Sequence, residues 1–228
     1  MKKYQFLVVG LGVFGTNVAK ILSQKGAEVL VIDNDEKKIQ EISPFVTQAI
    51  VADATDEKTL RSIGAGDIDI AIVAIGENME ASILTTLLLR ELGVKQILVK
   101  NINPLHAKIA AKVGADRIVY PEVEVAHKVA ESFLSPNIFE VIKLSQEYNV
   151  SEVGVLKKFW GKNLKELDIR AKYGVNVIAI KRKAPFVTDS GESDFKEEVN
   201  IAPGPEEELN EGDRIIVIGK ENDIEKLK

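Results

Sequence analysis

The sequence of 228 residues contains no cysteine and only two histidines. The lack of cysteine excludes a disulfide framework and any metal or redox site built on thiolates. No apolar run approaches the roughly 20 residues that a membrane-spanning helix needs, which predicts no direct membrane insertion. The first four residues, Met1-Lys2-Lys3-Tyr4, lead into a strand pattern rather than a signal peptide. These absences predict a cytoplasmic protein that acts on a membrane only through a partner.

A strong excess of one charge sign is also lacking. The chain has 30 Lys and Arg residues against 35 Asp and Glu residues, a formal net charge of −5. Because a nucleic-acid surface needs clustered Lys and Arg, this balance predicts no nucleic-acid partner. Apolar residues make up 45% of the chain, enough for a proper core, and the length suits two modest domains.

Groups that perform catalysis are scarce. The sequence has no Tyr-x-x-x-Lys, so the tyrosine–lysine acid–base pair of short-chain reductases is missing. His106 and His127 lie in helical patterns, and we interpret both as ordinary surface or interface residues rather than general bases. Neither paired carboxylates nor metal-ligand spacing stands out. The sequence therefore predicts a protein that is not an enzyme.

Short apolar runs alternate with helical patterns in the first 120 residues. The run at 70–75 is apolar throughout, which is typical of a parallel strand covered on both faces. Regular β-α-β alternation with right-handed crossovers predicts an α/β fold with a doubly wound, Rossmann-type parallel sheet. The predicted strands are 5–9, 28–32, 46–51, 70–75, 97–99 and 117–120, and the predicted helices are 12–24, 36–42, 56–63, 79–92 and 105–113.

The remaining residues predict a connector helix and a smaller α+β domain. Val125, Val129 and Phe133 recur at spacings of four, and the Ser-Pro-Asn sequence at 135–137 breaks the pattern. Predicted strands follow at 138–145, 150–155, 175–182 and 214–218, with short helices at 164–169 and 223–227 and a polar loop or hairpin tip at 185–200. The predicted domains are therefore 1–120, a connector or dimerisation helix at 121–137, and 138–228.

A glycine-rich turn, Gly10-Leu11-Gly12-Val13-Phe14-Gly15, follows the first strand and opens an amphipathic helix. Gly10 permits the tight turn, Gly12 lets the backbone approach a pyrophosphate, and Gly15 lets the helix pack closely on the strand. The helix N-terminus offers N–H groups and a positive dipole end to the phosphates. We predict that these loop residues bind a nucleotide. The alternative is a tight strand–helix turn without a ligand.

Asp33 ends the second strand, about twenty residues after the glycines. A carboxylate there can accept both hydroxyls of an adenosine ribose and repels a 2′-phosphate, which favours NAD or an adenine nucleotide over NADP. The alternative is a turn residue within Asp33-Asn34-Asp35. We predict that Asp35 caps the next helix and leaves Asp33 free, with Asn34 beside the ligand.

Three further strand ends carry candidate binding residues. Asp53 can accept from an adenine amino group, although Asp53 or Thr55 can instead cap the next helix. Small residues at 74–76 leave room at the switch point of the sheet, whereas Asn78 can also cap the following helix. Lys100 can reach a phosphate or be an ordinary solvated lysine. The predicted residues here are Asp53, Ala54, Thr55, Ala74, Ile75, Gly76, Asn78 and Lys100.

Over nearly its whole length the chain resembles the RCK (or KTN) family, the cytoplasmic regulatory subunits of bacterial Trk/Ktr potassium-uptake systems. The motifs that carry this resemblance are distributed from the first strand to the C-terminal domain. They are Val9-Gly10-Leu11-Gly12-Val13-Phe14-Gly15, Val31-Ile32-Asp33, Ala52-Asp53-Ala54-Thr55, Ile72-Val73-Ala74-Ile75-Gly76 with the helix at 81–92, Gly114-Ala115-Asp116-Arg117, Pro121-Glu122, Arg170-Ala171-Lys172-Tyr173-Gly174, Val177-Ile178-Ala179-Ile180 and Gly212-Asp213.

The resemblance implies homodimers that assemble into a ring beneath a potassium-conducting membrane subunit, at the inner face of the cell membrane. Exchange of NAD(H), ATP or ADP changes the ring's shape and gates the pore. The implied binding residues are Gly10, Gly12, Gly15, Asp33, Asp53, Thr55, Ala74 and Gly76.

Two positions relate to charge in the implied site. Glu122 matches a family carboxylate associated with cation binding at the dimer interface, although from the sequence alone it is a first-turn acid on a helix. Val13 stands where many members carry Arg, which leaves NAD(H) or AMP-like ligands open. Two other readings also remain open, an NAD-dependent oxidoreductase with a C-terminal substrate domain and a structural oligomer with a vestigial site.

Overall fold

A computed structural model describes residues 4–134, 137–187 and 193–227. Predictions for residues 1–3, for the break at 135–136 and for the tip at 188–192 lie outside these described residues. The chain divides into two compact units between Val125 and Ala126. None of the described helices has both the length and the hydropathy to cross a bilayer.

The first unit is a parallel sheet with helices between its strands. Its strands are β1 (Gln5–Val9), β2 (Glu28–Asp33), β3 (Gln48–Val51), β4 (Ile70–Val73), β5 (Gln96–Lys100) and β6 (Arg117–Val119). Its helices are α1 (Val13–Gln24), α2 (Glu36–Ile42), α3 (Glu57–Ser62), α4 (Met79–Glu91), α5 (Pro104–Val113) and α6 (Pro121–Leu134), within which the division falls. The strand order is β3-β2-β1-β4-β5-β6, all parallel, which confirms the predicted doubly wound sheet.

Apolar side chains cover both faces of this sheet. In β1, Leu7 and Val9 belong to one buried cluster and Val8 to another. In β4, Val73 and Ile72 divide between the same two clusters. Burial on both faces explains why these strands are apolar runs without alternation. Because the order reverses between β1 and β4, a crevice opens beyond their carboxyl ends.

The second unit is built on an antiparallel sheet. Its elements are β7 (Ile138–Lys143), β8 (Tyr148–Gly154), β9 (Lys162–Asn163), α7 (Leu164–Leu167), α8 (Ile169–Tyr173), β10 (Asn176–Val187), β11 (Ser193–Ile201), β12 (Glu208–Leu209), β13 (Arg214–Lys220) and α9 (Glu221–Ile224). The main sheet has the order β11-β10-β13-β8-β7, and β9 pairs with β12. Val153, Ile180 and Ile215 form part of its buried core.

Two predictions for this unit were wrong in detail. The predicted loop or hairpin tip at 185–200 is largely the paired strands β10 and β11, in which Lys183 lies opposite Glu197 and Arg182 opposite Glu198. Opposite charges facing one another stabilise strands that an apolar pattern does not reveal. The helix predicted at 164–169 is two short helices, α7 and α8, separated by Asp168 in a left-handed conformation (φ 43°).

A buried carboxylate joins three strands of the main sheet. Glu152 on β8 is 6% exposed, and its oxygens lie 2.5 Å from Lys181 Nζ and 3.0 Å from Arg214 Nη1. Burial raises the pKa of Glu152, but hydrogen bonds from Lys181 and Arg214 outweigh it and hold the pKa below its ordinary value of 4.5. The ionised form therefore stabilises the fold above about pH 4.5, and this contribution is lost as the pH falls through the lower, folded-state pKa.

We expect Glu152→Gln to lower the free energy of unfolding at pH 7 by about 1–3 kcal/mol, because two hydrogen bonds lose their charged acceptor. The deficit should be smaller at pH 3 than at pH 7, because pH 3 lies below the ordinary carboxyl pKa of 4.5, where the stabilisation by the ionised form declines. Denaturant unfolding at both pH values measures this. The control is Glu206→Gln, which removes an exposed pair with Lys165 and should cost less than about 1 kcal/mol. An equal deficit for Glu152→Gln at both pH values would contradict the assignment.

Candidate functional site

A cavity of about 530 Å³ opens at the carboxyl ends of the central strands of the first unit. All predicted site residues line it except Gly15, which instead packs behind the loop. The lining residues that the sequence predicted are Gly10, Gly12, Val13, Phe14, Asp33, Asn34, Asp53, Ala54, Thr55, Ala74, Ile75, Gly76, Asn78, Lys100 and Glu122.

The three glycines of the turn have three different surroundings. Gly10 has a positive φ of 93°, and a Cβ there would lie 3.1 Å from the backbone of Ala74 and Ile75. A Cβ on Gly15 would overlap the Gly10 carbonyl oxygen. By contrast, a Cβ on Gly12 would meet nothing within 4 Å, because that side of Gly12 faces open space. The turn is thus closely packed at Gly10 and Gly15 and open at Gly12.

Helix α1 begins at this open position. Gly12 is its N-cap residue, in an extended conformation (φ −71°, ψ −176°), and no side chain among the described residues caps it. Gly12, Val13 and Phe14 all line the cavity. The positive end of the α1 dipole and its first-turn N–H groups therefore lie at the cavity, an arrangement that suits an anion.

Asp33 braces the turn, so the prediction that it is left free was wrong. Asp33 is 9% exposed. Its Oδ2 accepts a hydrogen bond from the Leu11 N–H at 2.6 Å, and its Oδ1 accepts one from the Asp35 N–H at 2.9 Å. The Lys38 ammonium lies 3.7 Å from Oδ2. A carboxylate has about four lone-pair positions, so Asp33 can still accept from a ligand. Asp35 caps α2 through the Lys37 N–H, as predicted.

Asp53 and Thr55, which follow β3, bond to each other and do not cap the next helix. Asp53 Oδ1 accepts from both the Thr55 N–H at 2.8 Å and the Thr55 hydroxyl at 2.7 Å. The N-cap of α3 is Asp56, so the alternative in which Asp53 or Thr55 caps that helix was wrong. After β4, Asn78 does cap α4 by accepting from the Ala81 N–H at 3.0 Å, as the capping alternative predicted, and it also lines the cavity.

Lys100 is held in place, so the reading of it as an ordinary solvated lysine was wrong. Its side chain is 14% exposed, and its Nζ lies 2.6 Å from Glu122 Oε1. A Cβ added to Gly76 would lie 3.2 Å from the same Nζ. The hydrogen bond from Lys100 lowers the pKa of Glu122 below its ordinary value. The described residues contain no group of three or more His, Cys, Asp or Glu that can hold a metal, so the cation role of Glu122 stays a prediction.

The histidines lie away from the cavity lining. His106 is fully buried, with Nε2 3.1 Å from Ser82 Oγ, so its interpretation as a surface or interface residue was wrong. Burial lowers its pKa. His127 is exposed. The buried His106 is therefore not available to a ligand in the cavity as a proton donor or acceptor.

Several lining residues were missed by sequence reasoning. Lys38, in the first turn of α2, and Glu77, next to Gly76, both line the cavity. Their signal was position, because each lies within five residues of a predicted site residue. The charged lining residues are Lys38 and Lys100 against Asp33, Asp53, Glu77 and Glu122.

Comparison with known proteins places the chain in a family. A TrkA-N domain model matches residues 6–121, and a TrkA-C domain model matches residues 150–228. Ktr system potassium uptake protein C of Bacillus subtilis (strain 168) is 42% identical over 100% of this chain and 97% of its own length. Ktr system potassium uptake protein A of the same organism is 38% identical over 100% and 97%.

Solved structures show the same fold. A GsuK channel bound to NAD matches with a TM-score of 0.60 and 16% identity, over 99% of this chain and 39% of the channel chain. The full-length relatives and the two domain models agree on the assignment. The chain belongs to the Ktr family of potassium-uptake proteins, built from a TrkA-N domain followed by a TrkA-C domain.

Proposed function

We propose that this chain is a regulatory subunit that binds NAD(H) or an adenine nucleotide (ADP, ATP or AMP) in its first unit and gates a potassium-conducting membrane protein. The observation that carries the proposal is the cavity at the switch point of the sheet, with an uncapped helix N-terminus and an open Gly12 at one wall. The family membership supports the potassium-transport role. The solved neighbour bound to NAD supports the ligand class.

The ligand's parts have distinct places in the proposed site. The phosphates lie over Gly12 at the start of α1, where N–H groups and the helix dipole favour negative charge. The adenosine ribose lies at Asp33, whose remaining lone pairs accept its hydroxyls. The adenine lies toward Asp53 and Thr55 at the end of β3. Gly15 acts from behind the loop, through close packing of α1.

The site binds its ligand without turning it over. General acid–base catalysis needs a proton-transfer group within hydrogen-bond reach of the reacting atom. No histidine is among the lining residues, and the two lining lysines pair with carboxylates, Lys38 with Asp33 and Lys100 with Glu122. Asp53 and Glu77 are the remaining lining carboxylates, and the assay for NAD(H) oxidation or reduction described below tests whether either acts as a base. Regulation requires only that the nucleotide bind two conformations with different affinity.

The family membership and the exposed apolar side chains of α6 support the partners that we propose. We propose a homodimer that assembles into a ring at the inner face of the cell membrane, beneath the membrane subunit of a Trk- or Ktr-type system. The domains are 1–120, the connector helix 121–137 and 138–228. Helix α6 exposes apolar side chains that suit a subunit contact: Val123, Val125, Val129, Phe133 and Leu134.

Calorimetric titration of the purified chain with NAD, NADH, ADP and ATP tests the proposal. We expect saturable binding of at least one of them, and no oxidation or reduction of NAD(H) across a panel of small 2-hydroxy acids and aldehydes. Absence of binding for all four ligands would overturn the nucleotide role. Turnover would revive the oxidoreductase alternative.

The position of Asp33 also leads us to expect that the site discriminates between NAD and NADP. We expect NADP to bind at least about tenfold more weakly than NAD, a difference of roughly 1.4 kcal/mol, because its 2′-phosphate would lie against a buried carboxylate. Lys38 offsets part of this repulsion, since it lies 3.7 Å from the same carboxylate. Competition between NAD and NADP measures the ratio. Equal affinities would place the ribose away from Asp33.

A further inference from the structure

We propose that Lys100 exchanges partners, pairing with Glu122 as in this structure and with a phosphate when an anionic nucleotide occupies the cavity. The inference rests on the proposed function and names how that site is regulated. Bound phosphate and Glu122 then compete for one cation, so nucleotide binding releases the carboxylate at the start of α6.

The first step is that Lys100 is fixed at the cavity. It ends β5, its side chain is 14% exposed, and it is a lining residue. Its ammonium lies beside Gly76, where a Cβ would come within 3.2 Å of Nζ. A side chain at position 76 would crowd the ammonium and make it shift by a few tenths of an ångström, so Lys100 Nζ lies directly against Gly76, beyond the end of β4.

The second step is that Lys100 and Glu122 differ in their exposure to solvent. The Glu122 side chain is 67% exposed, whereas that of Lys100 is 14% exposed. A carboxylate that is mostly in water loses little when it leaves an ion pair. A largely buried ammonium needs a counter-charge to stay charged at low cost. A phosphate can therefore replace Glu122, and Glu122 is the member that moves.

The third step is the charge of the cavity. Its lining has four carboxylates and two lysines. Lys38 lies 3.7 Å from Asp33, at the end of β2, so Lys100 is the cation near Gly76. Phosphate oxygens and Glu122 repel each other if both approach Lys100. The more negative ligand thus displaces the exposed carboxylate.

The consequence falls on α6. Glu122 is the second residue of this helix, and its contact with Lys100 joins the first turn of α6 to the end of β5. When the ligand is bound and this contact is lost, the first turn of α6 is no longer joined to the end of β5 through Glu122. Because binding and release are linked, anything that holds Glu122 on Lys100 must weaken nucleotide affinity by the same factor.

The test measures nucleotide dissociation constants by calorimetry in EDTA, so that divalent cations make no contribution. Using the tightest-binding of NAD, ADP and ATP, we expect Glu122→Gln to tighten binding about two- to fivefold, because the competitor for Lys100 loses its charge. Lys100→Met should weaken binding at least about tenfold, and adding Glu122→Gln to it should change nothing further. Glu124→Gln, a charge removal in the same helical turn but outside the cavity lining, is the matched control and should match wild type.

The outcomes separate the exchange from the nucleotide role itself. If wild type binds none of the ligands, the proposed function fails. If wild type binds but Glu122→Gln binds equally or more weakly, the exchange is wrong and Glu122 supports the ligand or is idle. Should Lys100→Met not fold, Glu122→Gln against Glu124→Gln still decides, because both changes are at exposed positions.

Discussion

Gly15→Ala should destabilise the first unit by about 3 kcal/mol or more. The added Cβ would overlap the carbonyl oxygen of Gly10 and lie 3.1 Å from the Ala74 Cβ. Neither neighbour can rotate away, because one is backbone and the other is fixed to β4's end. Helix α1 must therefore shift from β1, and forcing extra atoms into a packed interior typically costs 1–3 kcal/mol, and more where backbone must move.

Thermal unfolding followed by circular dichroism measures this effect. For a chain of this size, 3 kcal/mol corresponds to a fall of about 6–12 °C in Tm. Gly12→Ala is the matched control, since it is the same change three residues away with nothing within 4 Å of the new atom. If Gly15→Ala had the same Tm as Gly12→Ala, α1 would not approach the turn as closely as described.

The first unit was predictable because its signals are local and repeated. Central parallel strands such as β1, β2 and β4 are buried on both faces and therefore form apolar runs, and six short strands alternate with helices in β-α-β order. The part of β10 beyond residue 182 and the strand β11 were not predicted, because their pairing depends on partners such as Lys183 and Glu197, which lie fourteen positions apart. Polar residues on an edge strand carry no period-2 apolar pattern to detect.

The site was predictable in position but not in its internal contacts. The carboxyl ends of parallel strands converge, so residues after each strand had to meet. That Asp33 accepts from the Leu11 N–H depends on two segments 22 residues apart and on the loop's conformation. The Lys100–Glu122 pair is likewise a meeting of β5 with α6. His106 is buried while its neighbour Leu105 is 59% exposed, a reversal of what side-chain polarity alone indicates.

These contacts give the two ends of the cavity different characters. At one end, the Asp33 carboxylate accepts hydrogen bonds from the Leu11 and Asp35 N–H groups, which hold the glycine turn without a ligand. At Lys100 the cation is held by an exposed carboxylate that a ligand can replace. In the proposed site, the adenosine lies at the hydrogen-bonded Asp33 wall and the exchangeable Lys100–Glu122 pair lies at the other end. This arrangement suits a ligand sensor, because only the second end responds to ligand charge.

Gly12→Ala separates nucleotide binding from folding, and we expect it to weaken binding at least about tenfold, a loss of roughly 1.4 kcal/mol. At φ −71° and ψ −176° any residue is unstrained, and the new methyl meets no protein atom within 4 Å. Replacing glycine by alanine at an N-cap costs at most about 1 kcal/mol. The methyl would instead occupy the space beside the loop in which a phosphate must lie to reach the first N–H groups of α1.

Calorimetry with the nucleotide that wild type binds, together with thermal unfolding of both proteins, measures the two effects separately. Gly204→Ala is the control, because Gly204 also has open space around its Cβ position and lies outside the cavity. Unchanged affinity in Gly12→Ala would mean that the phosphates do not lie on the glycine turn. A weakened affinity with a Tm that falls by no more than about 2–4 °C is expected if the ligand's phosphates bind on the open side of Gly12, since that is the space the methyl removes.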